Sequence, residues 1–274
     1  FMQRLSEKTG LFFKTWEIPD VSHNPSAALK IHSIKKGVVQ LDMEESYTLS
    51  VDNSEIKINA ASDIGAIRGL ETLLQLVESD PNGFYFQGAY ISDNPRFAWR
   101  GLLLSQPYHF MPMDVIKRTL DAMAMVKMNV FHFHPTEDIA WRFEVKSFPR
   151  LTDAKHMLRN KGKYYTVEEI KELIAYCKER YITLIPEIDM PGHSAAFKRA
   201  MGFDMQSDSG KIVVKQILSE ICDTYDVSYV HIGSDEVRIK DTSFVPEMTR
   251  LLEARGKKVI GWQPGGNFSL TTIR

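Results

Sequence analysis

Ser228-Tyr-Val-His-Ile-Gly-Ser-Asp-Glu-Val237 joins an apolar run (Tyr229, Val230, Ile232) to a Gly233-Ser234 break and two adjacent carboxylates, Asp235 and Glu236. A run this short and apolar reads as a parallel strand buried on both faces, and the C-terminal ends of such strands carry the chemistry of α/β proteins. Neighbouring carboxylates repel, so both persist there only in different environments. One can stay ionised while the other, desolvated and facing a like charge, holds a proton near neutral pH. That predicts an electrostatic stabiliser beside a general acid. The dipeptide fits equally well the first turn of a helix, where acids complement the macrodipole.

Working outward, strand-like runs alternate with amphipathic helices from Asn94-Pro95 onward. The predicted strands are Gly101 to Leu104, Val130 to His134, Ile182 to Ile188, Tyr229 to Ile232 and Lys257 to Gly261. Between them, helical periodicity covers Met113 to Lys127 (Ile116, Leu120, Met123 and Ala124 on one face), Val167 to Arg180, Lys211 to Asp226 and Phe244 to Ala254. Repeated βα units imply a parallel sheet with right-handed crossovers. An open doubly wound sheet fits the count, but polar clusters follow nearly every strand: HPTED, EIDMPGH, GSDE and GWQP. A barrel collects all its strand ends at one mouth, whereas an open sheet concentrates them at a switch point. The fold class expected is therefore α/β, a (β/α)8 TIM barrel represented by about five βα units.

Residues 1–92 read differently. Ile56, Ile58 and Ala60 alternate with Lys57 and Asn59, the period of a half-buried strand, and Val38 to Met43 and Tyr47 to Val51 also read as strands. Ile64, Ile67, Leu70, Leu74 and Val77 recur at helical spacing behind a Ser62 or Asp63 cap. Asp80-Pro-Asn-Gly83 marks a turn, and Phe84 to Ile91 a further strand. The expected organisation is a small non-catalytic α+β domain over 1–92 and a barrel over 93–274.

Composition narrows the functional classes. With 34 basic and 35 acidic side chains among 274 residues, the chain has no electrostatic footprint for nucleic acid or an anionic membrane. No apolar run reaches the roughly 20 residues of a membrane-spanning helix, and no signal peptide is visible. Phe1 in place of Met is consistent with a leader already removed. Cys177 and Cys222 each fall on the apolar side of a predicted helix and read as buried thiols, not as a disulfide or metal site.

Three constellations carry chemistry. His132 and His134 share one side of their strand, so a metal hydrolase deserves weight, although both imidazoles equally fit a core bonded to carboxylates. Glu187 and Asp189 precede a Pro191-Gly192 turn that sets His193 beyond its strand end, where it can bond a carboxylate and tune its pKa. Trp262 is either a packing residue or a wall for an acetamide methyl or sugar face.

Asn94-Pro-Arg-Phe-Ala-Trp-Arg-Gly101, His134-Pro-Thr-Glu-Asp-Ile-Ala-Trp-Arg142, Pro186-Glu-Ile-Asp-Met-Pro-Gly-His193, His231-Ile-Gly-Ser-Asp-Glu-Val237 and Gly261-Trp262 occur in order. Together they resemble the family 20 glycoside hydrolases, the β-N-acetylhexosaminidases, and Gly65 to Leu76 resembles the end of that family's N-terminal domain. The resemblance implies a retaining, substrate-assisted hydrolysis of terminal β-linked N-acetylhexosamine through an oxazolinium intermediate, without cofactor or metal. Asp235 would orient the acetamide; Glu236 would be the acid and then the base. His193 matches the histidine coupled to the acid through Glu137, Trp262 matches an acetamide-pocket wall, and Asp189 supports them. The implied partner is an oligosaccharide or glycoconjugate, and only the resemblance points to an extracytoplasmic place.

Departures from the family are local. Ser105 and Tyr108 stand where the family has Asp and an arginine that grips the 3- and 4-hydroxyls, so Tyr108 is expected in the substrate site with a looser grip. Glu137 replaces Asp, Ser234 a glycine, and Gln263 a glutamate. After Trp262 only residues 263–274 remain, so strands six to eight are expected to be absent, leaving open sheet edges unless a further segment completes the barrel. Two alternatives stand beside the hydrolase: a carbohydrate-binding relative that has lost turnover, and a metal-dependent hydrolase using His132 and His134.

Overall fold

A computed structural model describes residues 1–13 and 27–274 of the chain. The chain forms two compact units, Phe1–Arg100 with Ala124–Met128, and Gly101–Met123 with Asn129–Arg274.

The first unit begins with α1 (Met2–Thr9) and builds a mixed sheet from β1 (Leu29–Lys35), β2 (Tyr47–Val51), β3 (Ile56–Ser62) and later β6. The strand order is β1-β3-β2-β6, with β1 parallel to β3 and the other pairs antiparallel. The alternation at Ile56, Ile58 and Ala60 buries Ile58 and Ala60, while Lys57 and Asn59 are exposed. Helix α2 (Asp63–Gln75) starts where the Ser62 side chain accepts from the Gly65 N–H. Gly65 and Gly69 let α2 lie close: a Cβ on Gly65 would meet the Ser46 carbonyl at 2.4 Å, and one on Gly69 would meet Ile58 at 2.9 Å. Buried Glu45 is held by Arg68 and Arg100, each at 2.7 Å.

Three details differ from the sequence expectation. Val38 to Met43 is not a strand, and Leu29–Lys35, mostly exposed, supplies β1 instead. Val77 leaves the helical face to start β4 (Val77–Asp80), and Ile67 is exposed. Phe84 to Ile91 divides into β5 (Gly83–Phe86), the hairpin partner of β4, and β6 (Ala89–Asp93), because the Gln87 N–H turns back to the Leu76 carbonyl. In each case an edge strand with little burial carries no hydrophobic periodicity to read.

The second unit is a run of βα units: β7 (Gly101–Ser105), α3 (Met113–Met125), β8 (Val130–His134), α4 (Val167–Glu179), β9 (Thr183–Pro186), α5 (Ala195–Met201), α6 (Asp208–Thr224), β10 (Tyr229–His231), α7 (Phe244–Ala254) and β11 (Lys258–Ile260). The last residues of α3 fall with the first unit. Strands β7, β8 and β9 pair in parallel, as do β10 and β11, and a parallel Glu187–His231 bridge joins the two groups. Five parallel strands in sequence order, with helices between them, are part of a (β/α)8 barrel. The edge of β11 is not wholly open: Ile273 donates to the Val259 carbonyl and accepts from the Gly261 N–H, a parallel bridge where a sixth strand would lie.

Helix boundaries follow side-chain chemistry. Thr166 and Glu169 form a reciprocal capping box on α4, and Ser207 caps α6. Short α5, which the sequence did not suggest, ends at Gly202 in the left-handed region. Ile116, Leu120, Met123 and Ala124 of α3 are all buried, and so is Cys177; Cys222 is half-buried, and both thiols are free.

Candidate active site

The period of two along β8 turns His132 and His134 to one side, where both meet Glu187, the residue that follows β9. His132 Nε2 and His134 Nδ1 each lie 2.6 Å from Glu187 Oε2, and the Trp262 indole Nε1 donates to Oε1 at 2.9 Å. His231 Nδ1 accepts the Gly233 N–H at 3.0 Å and faces the same Oε1 at 3.1 Å. Glu187 is completely buried. Burial works to raise its pKa, but the histidine hydrogen bonds prevail and hold the carboxyl well below the usual range. Burial pushes His132 down; at His134 burial is outweighed by the bond to Glu187, and the pKa rises.

These contacts have the spacing of shared protons. Two ligands bound to one zinc at about 2.0–2.1 Å stand about 3.3 Å apart in a tetrahedral shell. Ligand atoms of His132, Glu187 and His231, and likewise of His134, Glu187 and Asp189, lie within 4.8 Å of one another. As placed, the β8 histidines bond the buried Glu187 carboxylate, one of the two arrangements the sequence allowed.

Beyond β10 the backbone turns sharply, with φ of 59° at Gly233, 76° at Ser234 and 50° at Glu236. Across from it, His193 sits at 45°. Left-handed non-glycine residues cluster in this way where surrounding structure over-determines the backbone. Gly233 cannot be replaced without movement, since a Cβ there would meet Asp189 Oδ1 at 1.8 Å. Ser234 tolerates its conformation with compensation: its hydroxyl donates to the Met190 carbonyl at 2.5 Å and its N–H to Asp189 Oδ1 at 3.3 Å.

Asp235 is half-buried, and its Oδ1 is a buried acceptor with no protein hydrogen-bond partner. Glu236 lies open, its side chain 75% exposed. Of the two, Asp235 is therefore the more desolvated. Among the neighbouring carboxyls, buried Asp189 is pushed up to about 7 by burial and then by the charge of Glu187. Polar atoms of Asp189, His193 and Asp235 lie within 4.8 Å of one another.

His193 links two acids. Its Nδ1 lies 2.6 Å from Glu137 Oε1 and its Nε2 3.5 Å from Glu236 Oε2. Burial opposes its charged form, but the charges of Asp189, Glu137 and Asp235 raise its pKa. Glu137, buried at the end of β8, also accepts the Asp138 N–H. Tyr108 is exposed near this relay; burial and the charges of Glu137 and Asp138 raise its pKa.

Arg142, quoted in the sequence without a role, sets this rim. It is fully buried and donates to the carbonyls of Gln106, Pro107, Arg159, Asn160 and Lys163. The guanidinium thereby ties the Tyr108 loop to the segment before α4. Arg142 does not stand out by sequence pattern, and Glu187, singled out there, had no role assigned to it. A buried arginine without an acidic partner is legible only once the carbonyls converge, and Glu187 only once β8 and β9 are in register.

Residues 97–211 match the glycosyl hydrolase family 20 catalytic domain, and residues 16–76 match a beta-acetyl hexosaminidase-like domain. The Beta-hexosaminidase of Vibrio furnissii is 36% identical over 230 residues, covering 71% of this chain and 38% of that protein. The chitobiase structure of Flavobacterium johnsoniae superposes with a TM-score of 0.90 at 36% identity, over 98% of this chain and 48% of that one. The exo beta-N-acetylglucosaminidase of Vibrio harveyi in complex with N-acetylglucosamine gives 0.80 at 29% identity, over 91% and 48%. The chain therefore spans less than half the length of these relatives.

Proposed function

The chain belongs to glycosyl hydrolase family 20, and from that premise we propose that the protein removes terminal, non-reducing β-linked N-acetylhexosamine with retention of configuration. The observation that carries this reading is His193 between Glu137 and Glu236, beside an Asp235 oxygen that is buried and unpartnered. A buried acceptor lacking a donor costs about 1–3 kcal/mol, and an amide N–H on the substrate removes that cost.

In the proposed reaction, the 2-acetamido oxygen attacks the anomeric carbon while Glu236 gives its proton to the departing glycosidic oxygen. The bond to the aglycone breaks and an oxazolinium forms. Asp235 accepts the acetamide N–H and balances the positive charge. Water then attacks the anomeric carbon, returning its proton to the Glu236 carboxylate. Trp262 forms a wall for the acetamide, while Asp189 and Glu137 hold Ser234 and His193 in place. The barrel unit is the catalytic domain and the first unit is non-catalytic. The partner is an oligosaccharide or glycoconjugate ending in N-acetylglucosamine or N-acetylgalactosamine.

The test is hydrolysis of an aryl β-N-acetylglucosaminide by the intact protein, with the anomer of the first product read by NMR and inhibition by the thiazoline analogue of the intermediate. β-Product and tight thiazoline binding support the reading; α-product overturns it. Tyr108 in place of the family's arginine favours one second reading, a sugar-binding relative with little turnover, which predicts thiazoline binding without hydrolysis.

A further inference from the structure

The HxH motif of β8 takes no part in the reaction above, yet it converges with His231 on one buried carboxylate that touches Trp262. Glu187 divides its two oxygens: Oε2 takes His132 and His134, each at 2.6 Å, while Oε1 takes the Trp262 indole N–H at 2.9 Å. The same imidazoles lie against the indole ring. His132 stacks on it at 5.3 Å and 25°, and His231 lies at 4.6 Å and 56°. One side of Trp262 is thus filled by protein and its edge is tethered, while the residue stays only half-buried.

We propose that Glu187 is a positioning residue, and that with His132, His134 and His231 it forms a buried cradle which locks the angle of Trp262. This deepens the functional reading, on which it rests: the cradle presets the aromatic wall that receives the acetamide. A side chain already ordered in the free protein loses no rotamer freedom when ligand arrives. The arrangement also explains a buried acid beside imidazoles. The histidine donors keep Glu187 ionised, and an ionised carboxylate is the stronger acceptor for the indole N–H. The cradle touches neither Glu236 nor the leaving group, so it acts on acetamide recognition and not on proton donation.

Glu187→Gln and Trp262→Phe separate these possibilities. The first weakens the acceptor; the second keeps an aromatic face and removes the N–H. Three measurements on the intact protein are needed: hydrogen exchange of the Trp262 indole proton, the Kd of the thiazoline, and the Kd of an iminosugar lacking the acetamide. The parent's indole proton should exchange slowly, and in Glu187→Gln at least about tenfold faster, as for a charged hydrogen bond lost. Thiazoline affinity should fall about tenfold in both variants, while the acetamide-free inhibitor changes by less than about twofold.

Folded Glu187→Gln with parental thiazoline affinity, or equal losses for both inhibitors, overturns the cradle. So does a parent indole proton that exchanges freely. If Glu187→Gln does not fold, the two inhibitors on Trp262→Phe decide the matter by the same criterion. A parent that binds no thiazoline overturns the functional reading and this positioning role with it, and is recognised because the indole proton stays protected.

Discussion

Glu137→Gln removes one negative charge from His193 while keeping the side chain's length. The contact it alters is the shortest in the relay, 2.6 Å between Glu137 Oε1 and His193 Nδ1, and Glu137 is 4% exposed. A hydrogen bond to a charged group in such a place contributes about 1.5–3 kcal/mol, or about 10- to 150-fold in the population of imidazolium. Asp189 and Asp235 still hold part of that charge, so the lower end of the range is expected. Glu137 raises the His193 pKa; its loss therefore lowers that pKa, and the charged form disappears at a lower pH. The assay is kcat/KM against pH on an N-acetylglucosaminide with a poor leaving group. The alkaline limb should move to lower pH, with the maximum reduced about tenfold. Glu137→Asp keeps the charge but shortens the arm by about 1.5 Å, one C–C bond, so its limb should move less. A limb that stays in place in Glu137→Gln, or moves to higher pH, refutes the relay.

Glu236→Gln should cost roughly 10²–10⁴-fold on substrates with poor leaving groups and far less on activated aryl glycosides, which depart without protonation; equal losses on both remove Glu236 from the acid role. Asp235→Asn should impair both substrate types and weaken the thiazoline, because the buried acceptor facing the acetamide loses its charge; unchanged thiazoline affinity contradicts substrate assistance. Gly233→Ala places a Cβ 1.8 Å from Asp189 Oδ1 at a φ of 59°. Overpacking and left-handed strain together predict a loss of about 2–4 kcal/mol in urea unfolding, and stability within about 0.5 kcal/mol of the parent removes the steric account.

Legibility followed burial. Strands β8, β9 and β10 were readable because burial on both faces leaves continuous apolar runs, and α3 because a single buried stripe imposes its spacing. Strands β1 and β4 were not, because they are largely exposed and nothing in their side chains is constrained to alternate. The candidate site divides in the same manner. Asp235, Glu236 and His193 were visible because each follows a strand end or a turn, which local sequence encodes.

By itself, then, the sequence determined the α/β class, the βα rhythm, the strand ends that carry polar groups, and the residue types available for acid–base chemistry. The environments of those residues were decided only by tertiary structure. The adjacency of Asp235 and Glu236 suggested unlike environments, but only the turn beyond β10 decides that Asp235 carries the buried oxygen and Glu236 the open side chain. The place of the Tyr108 loop is likewise set in space, by the Arg142 guanidinium that binds the Gln106 and Pro107 carbonyls. The carboxylate and the indole that the β8 histidines meet, Glu187 and Trp262, come from the ends of two other strands. Desolvation and hydrogen bonding depend on what lies within a few ångströms in space, and in a barrel those neighbours come from different strands tens of residues apart.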